Sequence, residues 1–136
     1  KLYSRSFYRL AASHLTPTGV LVTQATSPFY ATDAFWCIVN TAGSATLISG
    51  GAPLHVLPYH ASVPSFGEWG FLLVSLQPLD PRRITLTIPT RFLTPEVVPS
   101  LFVFPKDIGP RRTPINRIDD LVLVQLYEQA YKRYNR

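Results

Sequence analysis

Three consecutive apolar residues, Val20-Leu21-Val22, stand between two stretches whose apolar side chains recur at helical spacing. A strand with one wet face alternates apolar and polar side chains, whereas a run that stays apolar on successive positions suits a strand with helices over both sheet faces. Residues 20–22 are therefore expected to form a buried, parallel strand. Ahead of them Phe7, Leu10, Ala11 and Leu15 mark an amphipathic helix, which Ser4 can cap and Thr16-Pro17-Thr18-Gly19 stops. Behind them the polar residues 24–28 lead into a second helix expected over residues 32–48, with Phe35, Trp36, Val39 and Leu47 as its larger apolar members.

Gly50-Gly51-Ala52-Pro53 breaks that helix. Residues 54–63 alternate loosely and residues 71–76 read as a strand, so the two predict an antiparallel hairpin. Ile84-Thr85-Leu86-Thr87-Ile88 suits either a further strand or an extended surface arm. Thr94, Pro95 and Glu96 supply an N-cap, a first-turn proline and a first-turn acid, which predicts a short helix over residues 95–102. Residues 104–114 read as loop, and Leu121, Val124, Tyr127, Tyr131 and Tyr134 predict a closing amphipathic helix. Alternating helices and buried strands that end in a hairpin describe an α/β chain forming the second half of an open sheet.

A chain of 136 residues suits one domain, and 46% hydrophobic residues exclude a disordered tail. No apolar run approaches the roughly 20 residues that cross a bilayer. The chain starts at Lys1 and has no methionine, and it reads as a piece of a longer protein. Its charge of +5 is scattered over Arg82-Arg83, Arg111-Arg112 and Lys132-Arg133 with no Gly-aromatic signature between them, so no nucleic-acid partner is expected. Attraction to an anionic membrane surface is an equally good use of such charge. Cys37, among large apolar residues, reads as a buried structural thiol.

The histidines His14, His55 and His60 show no ligand-like spacing to Cys37 or to a carboxylate, and no metal is expected. Asp119 and Asp120 are adjacent, so on a helix they would point about 100° apart and suit its N-terminal dipole better than paired acid chemistry. The glycines form no phosphate cradle after a strand, and no cofactor is expected for this chain. No serine sits in a G-x-S-x-G elbow.

Two places can carry chemistry. Gln24 stands at the carboxyl end of the expected buried strand, where open sheets bind ligands; its amide oxygen can accept a hydrogen bond from an amine, or it can satisfy loop backbone groups. In Ser62-Val63-Pro64-Ser65-Phe66-Gly67-Glu68-Trp69-Gly70-Phe71, the rings of Phe66 and Trp69 can pack on methylenes or an ammonium, and Glu68 can pair with a cation. The same aromatics equally suit an ordinary hairpin core, and Glu68 a solvated position.

The stretches "QATSPFYA" and "VPSFGEWGF", with "LYSRSFYRLAASHLTPTGVLVT", "RFLTPEVVPSLFVFPKD" and "LVLVQLYEQAYKRY", resemble the C-terminal part of the bacterial spermidine synthases, the polyamine aminopropyltransferases, nearest to the branch with an N-terminal membrane region. That resemblance implies a Rossmann-like, methyltransferase-like fold of which residues 1–136 form the C-terminal portion of a single catalytic domain. It implies transfer of an aminopropyl group from the co-substrate decarboxylated S-adenosylmethionine to putrescine, a cytoplasmic location or the cytoplasmic face of a membrane, and a homo-oligomer or pairing with a missing N-terminal half. The family's catalytic aspartate and nucleoside-binding loop would lie upstream, leaving no catalytic residue here. Gln24 matches a glutamine near the diamine site, and Phe66, Glu68 and Trp69 fall in the loop that lines the aminopropyl or diamine channel. Where other synthases carry a tyrosine, Phe66 stands without the hydroxyl. The alternative is a non-catalytic module that binds polyamines or a partner subunit.

Overall fold

The computed structural model describes residues 1–134. Its elements are α1 (Arg5–Ala12), β1 (Val20–Gln24), α2 (Thr32–Gly43), β2 (His55–Val63), β3 (Gly67–Ser75), a single 3₁₀ turn (Pro81–Arg83), α3 (Val97–Ser100) and α4 (Val122–Tyr134). Ser4 caps α1 as expected, its hydroxyl accepting from the Phe7 N–H at 3.2 Å.

The strands form one antiparallel sheet in the order β1-β3-β2. The expectation of a buried parallel strand is corrected here: β1 pairs antiparallel with β3, from Val20 opposite Ser75 to Gln24 opposite Phe71. Its residues are alternately exposed and half-buried, with Val22 54% exposed. The reason is that helices cover one sheet face only. Leu72 and Val74 pack with Tyr8 of α1 and Phe35 and Ile38 of α2 in the core, whereas Val20 and Val22 look the other way.

Buried on nearly every side, α2 is the central helix. It ends at Gly43 rather than at residue 48, because the backbone leaves the helix to form a bridge between Thr46 and Pro53. One stripe of α2 at helical spacing, Asp33, Trp36, Cys37, Asn40 and Thr41, holds the loop that follows α3. Trp36 Nε1 donates to Ile108 O at 2.8 Å, Cys37 Sγ to Pro114 O at 3.3 Å and Asn40 Nδ2 to Arg111 O at 2.9 Å. Thr41 Oγ1 accepts from Asn116 N at 2.9 Å, and Arg111 pairs with Asp33 at 3.1 Å.

Residues 84–88 form no strand but run as an extended arm, with Ile88 70% exposed. The short helix expected over residues 95–102 is only the turn α3, with Thr94 Oγ1 accepting from Val97 N at 3.3 Å as foreseen. The closing helix is present, but the face named for it is the outer one. Val122, Leu123, Leu126 and Ala130 pack on the core, while Leu121, Val124, Tyr127, Tyr131 and Tyr134 are exposed. Asp120 caps the turn before the helix, accepting from Arg117 N at 3.1 Å.

Burial raises the phenol of Tyr8 well above its ordinary value of 10.0, and it raises those of Tyr59 and Tyr127 more modestly. A proton held more tightly in the folded chain stabilises it below the ordinary phenol value and ceases to do so as pH rises toward the folded value. An alkaline titration is therefore expected to show late phenolate absorbance that coincides with loss of circular dichroism above pH about 10. Three phenols that titrate at the ordinary value with the fold intact would contradict it.

Candidate functional site

Past the last paired residue of β1 the chain crosses β3 at Gly70. Ala25 N donates to Gly70 O at 2.8 Å, and Gly70 N donates to Thr26 O at 2.7 Å. The approach is tight because Gly70 has no side chain: a Cβ there would lie 2.3 Å from Phe35 Cε2. Beyond this crossing β2 and β3 continue as a two-stranded ribbon, through the pairs Ala61–Trp69, Ser62–Glu68 and Val63–Gly67. The ribbon closes in a turn in which Phe66 N donates to Val63 O at 3.0 Å and Ser65 adopts a φ of 74°.

The pleat sorts the four candidate side chains. Residues opposite one another share a sheet face, as do alternate residues along a strand, so Gln24, Phe71 and Trp69 stand on one face and Glu68, Gly70 and Leu72 on the other. Gln24 is exposed at the end of β1. Phe66, 66% exposed, meets Trp69 edge-on at 5.8 Å between ring centroids. Trp69 Nε1 is buried without a hydrogen-bond partner, so the indole N–H is a donor left over in the fold. Gln24, Phe66 and Trp69 thus belong to one surface around the tip of the sheet.

Glu68 does not join them. It turns to the helix-covered face, where its carboxylate is engaged by His60 Nδ1. His60 Nε2 in turn donates to Val103 O at 2.7 Å, and its ring lies 4.7 Å from that of Phe104. No spacing along the chain pairs these two residues: His60 and Glu68 meet diagonally across the hairpin, a relation set by strand register. The polar stripe of α2 was likewise not read from the sequence, although Asp33, Cys37, Asn40 and Thr41 recur at three- and four-residue steps.

Cys37 is buried, and burial pushes its thiol up, in keeping with a structural role. Among the described residues no three His, Cys, Asp or Glu side chains gather as a metal would need, and no helix is long and apolar enough to cross a membrane. A groove of about 440 Å³ lies at the opposite end of β1 between Val20, Leu73, Leu79 and Ile84.

No protein-family model matches the chain. Among characterised proteins it is similar to the polyamine aminopropyltransferase of Oceanobacillus iheyensis, at 38% identity over 98% of this chain and 26% of that protein. It is 42% identical to polyamine aminopropyltransferase 2 of Ralstonia nicotianae over 96% of this chain and 24% of that protein. The polyamine aminopropyltransferase of Mycobacterium tuberculosis is also 42% identical, over 92% of this chain and 23% of its own length. The chain spans about a quarter of the relatives it matches. Over nearly its whole length, then, it is homologous to part of the polyamine aminopropyltransferases, the spermidine synthase family.

Proposed function

We propose that this chain is the C-terminal portion of one Rossmann-like catalytic domain in an enzyme that moves an aminopropyl group from decarboxylated S-adenosylmethionine to putrescine. The likeness to aminopropyltransferases along 92–98% of the chain carries this reading. In such a transfer the amine nitrogen attacks the carbon beside the sulfonium, the carbon–sulfur bond breaks, and the proton released by nitrogen leaves to a base. The site must therefore present a neutral amine in line with that carbon and keep water out. Gln24 can accept a hydrogen bond from the amine N–H, and Phe66 and Trp69 can pack along its methylenes. Glu68, held by His60 on the other face, supports the tip.

The base and the nucleoside-binding loop are assigned to the part of the relatives that this chain does not span. The purified 136-residue chain is accordingly expected to form no methylthioadenosine from decarboxylated S-adenosylmethionine and putrescine; turnover would overturn the assignment. In a longer protein that contains the chain, Trp69→Ala is expected to raise the KM for putrescine roughly tenfold and to leave that for the aminopropyl donor unchanged. A non-catalytic subunit-interaction module is a second reading, favoured by the exposed apolar stripe Val124, Tyr127 and Tyr134 of α4. Stable self-association on size exclusion, with no turnover in any longer form, would select it.

A further inference from the structure

We infer that His60 and Glu68 act together as a positioning pair that sets where the rings of Phe66 and Trp69 stand. The inference rests on the proposed amine site and names residues that do not touch the amine. The ribbon beyond Gly70 has lost β1 as a neighbour, and two strands alone are marginally stable in water. At its base, opposite Gly70, His60 gathers several ties to the neighbouring segment. His60 donates from its backbone N to Leu101 O at 3.0 Å and from Nε2 to Val103 O at 2.7 Å, while Nδ1 engages Glu68. A carbonyl oxygen can only accept, so Nε2 presents its proton to Val103 O and Nδ1 is the atom that meets the carboxylate.

The pair is partly withdrawn from water, with side-chain exposures of 15% for His60 and 33% for Glu68. Its imidazole is also clasped by Phe104, which packs on Phe35 and Trp36 at 5.6 and 5.1 Å. The imidazole is therefore anchored to the core, and Glu68 is anchored to the imidazole. Glu68 lies between Gly67, at a φ of 73°, and Trp69. Because successive side chains point to opposite faces, fixing the Glu68 carboxylate on one face fixes the direction of the Trp69 indole on the other. Phe66 rides on that indole at 5.8 Å.

The test follows the Trp69 indole N–H and the Phe66–Trp69 ring contact by nuclear magnetic resonance in the 136-residue chain, with core methyl and Trp36 signals as the control for folding. Glu68→Ala and His60→Ala are each expected to shift the Trp69 signal and weaken the ring contact. Glu68→Gln, whose amide can still hydrogen-bond to Nδ1, should restore both. The double variant should add little to either single one, as expected of groups that act as a unit. A Trp69 signal unmoved in Glu68→Ala, or additive shifts in the double variant, would overturn the inference. If the alanine variants lose the core signals, His60→Gln, which keeps a donor for Val103 O but cannot reach Glu68, carries the same comparison. In the longer enzyme Glu68→Ala should raise the KM for putrescine on the order of tenfold or more, as misplacement of a positioning wall does, with rescue by Glu68→Gln. Wild-type enzyme with no use for putrescine would sink the amine reading alone, since the ring signals are read without any amine.

Discussion

Replacing Gly70 with alanine is expected to destabilise the chain by roughly 3 kcal/mol and to lower its melting temperature by about 10 °C or more. The added methyl would sit 2.3 and 2.6 Å from two carbons of the Phe35 ring and 2.8 Å from Thr26 O. Neither neighbour can give way cheaply. Phe35 is fully buried and locked edge-on against Trp36 at 5.2 Å, and Thr26 O is the acceptor for Gly70 N itself. Thr26 already sits at a φ of 60°, so pushing its carbonyl aside strains a backbone with little slack. Phe35→Leu in the Gly70→Ala background is expected to recover part of the loss by relieving the ring clash, but not the clash with the carbonyl. Thermal unfolding of the two single variants and the double variant reads this directly; an unaltered melting temperature in Gly70→Ala would refute the packing described.

Phe104→Ala is expected to cost about 2–3 kcal/mol, and its effect should be regional. The Phe104 ring is the meeting point of Phe35 and Trp36 of α2 and His60 of β2. Without it the segment around α3 keeps its backbone tie from His60 N to Leu101 O and the Phe102 contact with Tyr59, but loses its hold on α2 through Phe35 and Trp36. Limited proteolysis should then cut within residues 84–103 well before the core opens, because that stretch already has few buried contacts. Cutting no faster than in the wild type would place the anchor elsewhere.

The elements were legible wherever one period ruled. The Ser4 cap of α1, the hairpin and the Thr94 turn all follow from side-chain chemistry within a few residues, whereas the face named for α1 is corrected: Leu10 is exposed, Leu15 lies past the helix, and Tyr8 and Ala12 are the buried residues. The partner of β1 was not legible, because consecutive apolar residues report hydrophobic surroundings and not strand direction. The inward face of α4 was ambiguous for a related reason: Val122, Leu123, Leu126 and Ala130 make one apolar stripe, and Val124, Tyr127, Tyr131 and Tyr134 make another, on which the phenols can face water. At the candidate site the strand-end position of Gln24 could be read in advance. Which face Glu68 takes and which Trp69 takes needed the register, and the His60–Glu68 contact needed the turn that fixes it.

The polar stripe of α2 also has a kinetic consequence. Its bonds to the loop join residues 72, 77, 71 and 75 positions apart, from Trp36, Cys37, Asn40 and Thr41 respectively. Contacts of that sequence separation close large loops and form late, so a nascent chain can assemble α1, α2 and the hairpin while that side of α2 still waits for its partners. The described residues of the final third contribute no strand to the sheet and are expected to close over it last, as a clasp.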